Sequence, residues 1–216
     1  MPPFVLLILN CEKYKDKREK QKQTWLKSLP MWLPYYHIIG NPSLETNYLL
    51  DENEKILYVK IEDDYNSLPK KVLASYQASV ELFSDLKYIF KTDDDQYLIN
   101  IKFFDTLKNI LEMNSVCNQK VHYGGNVLNI AIPYISQYYR IHPELPKNLI
   151  IQKTAYCNGR FYFLSKEAIQ YLVENKKQEI HAEYLEDYAI GYHLSNEYKK
   201  NTFKIETQKL FKDFTV

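Results

Sequence analysis

The chain alternates short apolar runs with longer stretches of helical period. Phe4-Val5-Leu6-Leu7-Ile8-Leu9, Tyr35 to Ile39, Ile56 to Ile61, Tyr88 to Thr92, Val121 to Tyr123 and Phe161 to Leu164 read as strands. Between residues 69 and 84, Val72, Leu73, Tyr76, Val80 and Phe83 recur at helical spacing, with Pro69 in the first turn and Ser67 placed to cap it. A second helix is expected after Ser165, with Glu167 in its first turn and Ile169, Tyr171 and Leu172 along it. A third starts near Asp187 and puts Ile190, Leu194 and Tyr198 on one stripe. Ile130 to Lys153 contains three prolines and no clear period, which predicts a long surface loop. Strands interleaved with helices imply a layered α/β architecture, and 216 residues are most simply one domain, 1–216.

Composition narrows the partners. The apolar fraction of 45% and charged fraction of 25% are those of an ordinary globular protein and exclude disordered or collagen-like classes. A net charge of +1 supplies no global field, so nucleic acid is not an expected partner. Cys11, Cys117 and Cys157 are few and odd in number, which argues against a disulfide framework and favours a reducing compartment or free buried thiols, with room for one pair. The run from Phe4 to Leu9 is too short to span a bilayer and has neither a basic lead-in nor a small-residue cleavage site. The chain therefore reads as soluble, with no transmembrane segment and a cytoplasmic location favoured. Abundant Tyr, Lys, Asn and Ile beside scarce Gly and Ala point to a biased genome, such as that of a low-GC organism or a large virus. No Gly-rich phosphate loop, paired-cysteine zinc site or Gly-x-Ser-x-Gly elbow is present, so kinase and hydrolase readings lose support.

The densest chemistry is Asp93-Asp94-Asp95 behind the apolar run Tyr88-Ile89-Phe90. Three adjacent carboxylates repel one another unless a cation sits among them, and a hard divalent ion held there leaves positions open to phosphate oxygens. On an extended chain Asp93 and Asp95 aim to one side and Asp94 to the other. A solvated strand-end turn or a structural calcium loop is the competing reading. The position behind a strand favours the ligand site, because open α/β sheets bind beyond the carboxyl ends of their strands. Glu186-Asp187, ahead of Tyr188-Ala189-Ile190-Gly191, is either a helix start or a carboxylate placed to take a proton, and Gly191 allows close backbone approach. The helix start is expected to lower the Asp187 pKa, with burial working against it. The basic run from Lys13 to Lys22 reads mainly as a solvated helix face, although Arg18 and Lys22 lie one turn apart and are placed to reach a diphosphate. Lys70 and Lys71 present the same choice, with the surface favoured, and Trp25 reads as core. Tyr123-Gly124-Gly125 and Tyr156-Cys157-Asn158-Gly159 set glycines beside aromatic rings, an arrangement suited to a ring-shaped ligand or to an ordinary turn.

In order along the chain, these blocks resemble glycosyltransferase family 31, the inverting β-1,3-galactosyl- and N-acetylglucosaminyltransferases and their Fringe relatives. Lys17-Arg18 with Lys22-Gln23-Thr24-Trp25 is similar to its Arg-Arg…Arg-x-Thr-Trp segment, with two Lys in place of Arg. Tyr65-Asn66-Ser67-Leu68-Pro69-Lys70-Lys71 resembles its Tyr-x-Asn-Leu-Thr-x-Lys helix entry, and Phe90-Lys91-Thr92-Asp93-Asp94-Asp95 its metal motif. Tyr156, Gly159, Tyr162 and Ser165 follow its Tyr-x-x-Gly-x-Gly-Tyr-x-x-Ser spacing, with Phe161 in place of the second Gly. Glu186-Asp187-Tyr188 and Gly191 resemble its Glu-Asp-Val-Tyr-x-Gly block.

The resemblance implies a GT-A type fold, a Rossmann-like mixed sheet flanked by helices, and a hexosyltransferase that uses a UDP-sugar donor. It implies a manganese or magnesium cofactor, with Asp95 as direct ligand and Asp93 on the metal or ribose, and Asp187 as general base. Asp94, Arg18, Lys22, Lys71 and Glu186 fall on the nucleotide side, and Gly125 and Tyr156 on the sugar or acceptor side. Such a site would move a hexose or N-acetylhexosamine to a hydroxyl of a glycan or glycoprotein, in the family's β-1,3 linkage. The family usually adds a later histidine metal ligand; here only His193 follows the Glu-Asp block, unusually soon. Rival readings are an inactive glycan- or nucleotide-sugar-binding module and a metal phosphohydrolase acting on nucleotide sugars. The family's Golgi address is not carried across, and the resemblance names no oligomeric state.

Overall fold

Phe4–Leu9 is apolar at every position because both of its faces are covered. In the computed structural model, which describes residues 1–117 and 119–214, this strand (β1) lies within an eight-stranded mixed sheet. The strands that follow are β2 (Tyr35–Gly40), β3 (Tyr48–Asp51), β4 (Ile56–Val59), β5 (Tyr88–Asp93), β6 (Gln96–Leu98), β7 (Tyr123–Ile130), β8 (Tyr134–Ile135), β9 (Ile150–Ile151), β10 (Thr154–Ser165), β11 (Phe203–Lys204) and β12 (Phe211–Asp213). The helices are α1 (Lys15–Gln23), α2 (Leu68–Leu82), α3 (Lys102–Val116), α4 (Lys166–Asn175), α5 (Lys177–His181), α6 (Glu186–His193) and α7 (Asn196–Lys199). The sheet order is β11-β7-β10-β5-β1-β2-β4-β3, with β10 antiparallel between parallel-running β5 and β7. β6 pairs with β12 and β8 with β9 in two small ribbons outside it.

Strand alternation sorts the core into two layers. Val5, Leu7 and Leu9 pack with Val72, Leu73 and Tyr76 of α2, Ile169 and Leu172 of α4 and Ile190 of α6. Phe4, Leu6 and Ile8 face Trp25, Phe104, Leu107, Phe161 and Phe163. This is the mixed α/β sheet with flanking helices that the pattern predicts, and Trp25 is core. β1 and β5 run parallel with Leu9 opposite Asp93, so Asn10 and the Asp run emerge together at one edge of the sheet.

Several elements differ from the sequence reading. Ser67 stands at the start of α2 without a capping hydrogen bond from its hydroxyl; Asp64 Oδ1 instead accepts the Ser67 backbone N–H at 2.8 Å. By contrast, Ser165 caps α4 through Oγ, which accepts the Ala168 N–H at 3.3 Å. The helix expected from Asp187 through Tyr198 breaks at Leu194, whose backbone is extended. Folding back there lets Lys199 Nζ reach the Gly191 carbonyl at 2.9 Å and satisfy a helix-end acceptor, while Ile190 and Leu194 stay buried. β7 and β10 are longer than their apolar runs because their outer halves leave the core and carry polar residues such as Asn129. The pattern names no helix between β6 and β7, yet α3 forms there and buries Phe104, Leu107 and Leu111 at positions i, i+3 and i+7. The stretch from Ile130 to Lys153 is an ordered arm, not a bare loop. The β8–β9 ribbon, buried Leu145 and Ile151, and a hydrogen bond from Asn66 Nδ2 to the Glu144 carbonyl at 3.1 Å tie it down. Among the described residues no helix is long and apolar enough to cross a membrane.

Candidate active site

Toward the carboxyl end of β5, Lys91 is buried directly behind the apolar residues Tyr88, Ile89 and Phe90. A buried ammonium needs acceptors. Its Nζ donates to Asp93 Oδ1 at 2.7 Å, Glu186 Oε2 at 2.7 Å and the Gly159 carbonyl at 3.1 Å. Tyr162 Oη donates to the other Glu186 oxygen, and Tyr76 Oη lies 2.7 Å from Tyr162 Oη, extending the network into the core. Gly159 also donates its N–H to Asp187 Oδ2 at 2.9 Å, while the Tyr188 N–H donates to Asp187 Oδ1 at 2.7 Å. A Cβ added at Gly159 would stand 3.2 Å from Asp93 Oδ2 and 3.5 Å from Asp187 Oδ2. The two carboxylates singled out on opposite halves of the sequence thus converge on one glycine.

Electrostatics here is an excess of negative charge around one cation. Burial pushes the Asp93 pKa up to about 7, with Glu186 and Asp95 adding to the rise and Lys91 opposing it. Lys91 is held protonated, its two carboxylates outweighing its burial. Burial also raises Asp187, and neither Lys91 nor the two backbone donors reverse it. This corrects the expectation that the helix start would lower it: the site's desolvation wins, which makes Asp187 a stronger base. Tyr65, Tyr138 and Tyr156 gather around Asp187, their phenols held protonated by burial and then by its charge. Tyr65 stacks on His142 of the arm, ring centroids 3.8 Å apart.

The Asp run is not extended beyond Asp93. Asp94 and Asp95 form the turn into β6, because β6 leaves the main sheet to pair with β12. Each carboxylate consequently has its own surroundings. Asp94 accepts from Asn10 Nδ2 at 2.8 Å and Lys17 Nζ at 3.3 Å, whereas Asp95 accepts from Gln96 Nε2 at 2.7 Å. Gln21 of α1 clamps the turn from behind, its Nε2 donating to the Asp93 carbonyl at 3.1 Å and the Gln96 carbonyl at 3.0 Å. Gln21 Oε1 lies 3.0 Å from His37 Nε2.

Arg18 and Lys71, read from sequence mainly as surface groups, are both buried. They meet at Asn10: Arg18 Nη1 donates to its side-chain oxygen at 3.1 Å, and Lys71 Nζ to its carbonyl at 2.7 Å and to Asp63 Oδ1 at 2.8 Å. Lys22 pairs instead with Glu19 at 3.1 Å and Glu54 at 3.4 Å. His193, at the opposite end of α6 from Asp187, has its Nε2 2.9 Å from Oε1 of Glu183, which precedes the helix. Gly125 is required by packing: an added Cβ would meet the Phe161 carbonyl at 2.8 Å, where β10 shifts register. Gly191 admits Tyr156, whose Cβ would lie 2.2 Å from an added methyl, which is the close approach expected of it. Lys91, Asn10, Gln21 and Asp63 escaped the sequence reading. The signal for Lys91 was a lysine inside a buried run, and for Asn10 a polar residue directly ending one.

Among the described residues no three His, Cys, Asp or Glu side chains converge as a closed metal cage. A magnesium- or manganese-type ion needs none, since such ions are commonly held by one or two carboxylates plus substrate phosphates. Asp93 and Asp95, with surplus negative charge and one lysine to balance it, fit that donor set.

Comparison with known proteins gives the family. The family model described as Galactosyltransferase matches residues 16–204. The chain is 25% identical over 148 residues to UDP-GalNAc:beta-1,3-N-acetylgalactosaminyltransferase 2 of Xenopus tropicalis, and 23% identical over 184 residues to UDP-GalNAc:beta-1,3-N-acetylgalactosaminyltransferase 1 of Homo sapiens. These matches cover 66% and 80% of this chain but only 27% and 54% of those relatives. A solved structure, a glycosyltransferase involved in the glycosylation of the major capsid of PBCV-1, superposes with a TM-score of 0.53 over 99% of this chain and 93% of that one. At 13% identity that likeness speaks for the fold alone.

Proposed function

Because the chain belongs to the galactosyltransferase family, we propose that it is an inverting, metal-dependent glycosyltransferase that moves a hexose or N-acetylhexosamine from a UDP-sugar to a glycan hydroxyl. The relatives named above act from UDP-GalNAc in β-1,3 linkage, so N-acetylgalactosamine leads the donors to be tried and β-1,3 the linkages. One observation carries the reading: Asp93, at the diphosphate end of β5, and Asp187, at the start of α6, meet over Gly159.

Asp187 takes the proton from the acceptor hydroxyl. Its two oxygens each accept one backbone N–H, which fixes the carboxylate and leaves a lone pair on each for that hydroxyl. The acceptor oxygen bonds to the anomeric carbon as the bond from that carbon to the diphosphate breaks, UDP departs with the electron pair, and configuration inverts. Lys91 holds Asp93 in place and keeps Glu186 from repelling it. Asp93 and Asp95 would hold the manganese or magnesium ion, which when bound offsets charge on the departing diphosphate. Tyr65, Tyr138 and Tyr156 offer ring faces to the sugars.

A panel of UDP-sugars with manganese, scored for UDP release with and without acceptor glycans, tests the proposal. Asp187→Asn is expected to bind UDP-sugar within about threefold of wild type and to lose transfer by roughly 10²–10⁴-fold, the share typical of a general base. Failure of every UDP-sugar to bind at any manganese concentration would sink it.

A further inference from the structure

Beside Tyr156, a cavity of about 730 Å³ opens between the outer halves of β7 and β10, α7 and β11. Its volume lies in the range of small-molecule sites. Four lysines line it, Lys153, Lys199, Lys200 and Lys204, together with Asn129 and Tyr156, and no carboxylate does. None of the ion pairs formed by the described residues includes any of these lysines. Glu197, the acid of α7, is also in none of those ion pairs. Lys199 is partly buried, and its Nζ is held at 2.9 Å by the Gly191 carbonyl and at 3.3 Å by Thr154 Oγ1. Elsewhere buried lysines are matched: Lys71 by Asp63 and Lys91 by Asp93 and Glu186.

Unmatched positive charge in a concavity recruits anions. The cavity is joined to the candidate active site by shared parts. Tyr156 is one wall of it and also packs on Gly191 of α6, the helix whose first turn carries Asp187. We propose that this cavity binds an anionic group of the acceptor glycan, a carboxylate, sulfate or phosphate on a sugar that packs against Tyr156. The inference rests on the glycosyltransferase reading for its ligand class and assigns acidic glycans as acceptors. An acceptor chain seated there runs past Tyr156 to present a neighbouring hydroxyl to Asp187.

Calorimetry with defined probes tests it: a tetragalacturonate, a sulfated heparin-derived tetrasaccharide, a neutral galactotetraose, inorganic phosphate and phosphatidylglycerol vesicles, against wild type and Lys153→Ala/Lys200→Ala/Lys204→Ala. Lys199 is left in place because it caps α6. At least one anionic tetrasaccharide is expected to bind tenfold or more tighter than the neutral one. That binding should weaken at least tenfold in the triple variant and with added salt, while UDP affinity in the presence of manganese stays within threefold. Equal affinity for charged and neutral saccharides, binding indifferent to the lysines, or lysine-dependent binding to vesicles alone would overturn it. Loss of UDP binding in wild type, with anionic saccharide still bound, would overturn the donor reading and leave the anion site standing.

Discussion

Two regions beyond the same end of the sheet handle charge in opposite ways. At the carboxyl end of β5, Asp93, Glu186 and Asp187 crowd around one lysine. On the outer ribbon of β7 and β10, four lysines share a cavity with no acid. A chain of net charge +1 conceals both, because that sum runs over all 28 basic and 27 acidic residues. On the proposed function, the acidic region suits a ligand that brings positive charge with it, and the basic region one that brings negative charge. The aromatic wall of Tyr156 and the helix α6 separate them.

Lys91→Met is the strongest way to break this contrast within the acidic region. It leaves Asp93 and Glu186 without their cation, and removing one partner of a buried ionic cluster costs about 3–5 kcal/mol. Urea unfolding at pH 8 should read that loss. The loss should shrink toward pH 6, because the variant's Asp93 then takes up a proton. A loss under about 1 kcal/mol would mean that Lys91 does not hold the cluster together.

Acidification sharpens the comparison from behind the site. His37 is buried, with its Nδ1 lacking a partner, and burial followed by the charges of Arg18 and Lys22 lowers its pKa to about 3. A lowered folded pKa on a base means stability present above the unfolded value near 6.5 and lost as pH falls toward 3. Asp93 works in the opposite direction, since an acid with a raised folded pKa stabilises the fold as it gains its proton below about 7. The wild-type profile therefore contains opposing limbs, and His37→Gln isolates one of them. Between pH 7.5 and 4.5 the stability advantage of wild type over this variant should fall by about 2–3 kcal/mol, measured by unfolding at each pH. An advantage that does not change with pH would show that His37 is not held neutral.

Gly191→Ala tests the seam between the two regions. Its methyl would collide with Tyr156 Cβ, an overpacking worth about 1–3 kcal/mol that pushes α6 off β10. Thermal unfolding should register it, and both UDP-sugar transfer and anion binding should weaken together. If either function is untouched, the two sites do not share that wall.

Legibility in the sequence followed the nature of each signal. Phe4–Leu9, Tyr88–Asp93 and α2 were readable because full burial or helical spacing leaves a local pattern of side chains. The Asp run, Glu186-Asp187 and the glycines at 159 and 191 were visible as blocks in order. Hidden were the outer halves of β7 and β10 and the ordered arm, whose partners lie far along the chain and impose no period. Lys71 and Arg18 looked like surface cations, because only their meeting at Asn10 makes them interior.

By itself, then, the sequence determined the layered sheet and helices, the family, and which carboxylates to examine, since these rest on side-chain pattern and local order. Tertiary structure alone decided that Asp93 and Asp187 meet at Gly159, that Lys91 balances them, and that four scattered lysines form one cavity. The physical reason is distance: Coulomb energies and desolvation depend on separation and burial, and residues 28 to 95 positions apart acquire these only when the chain closes.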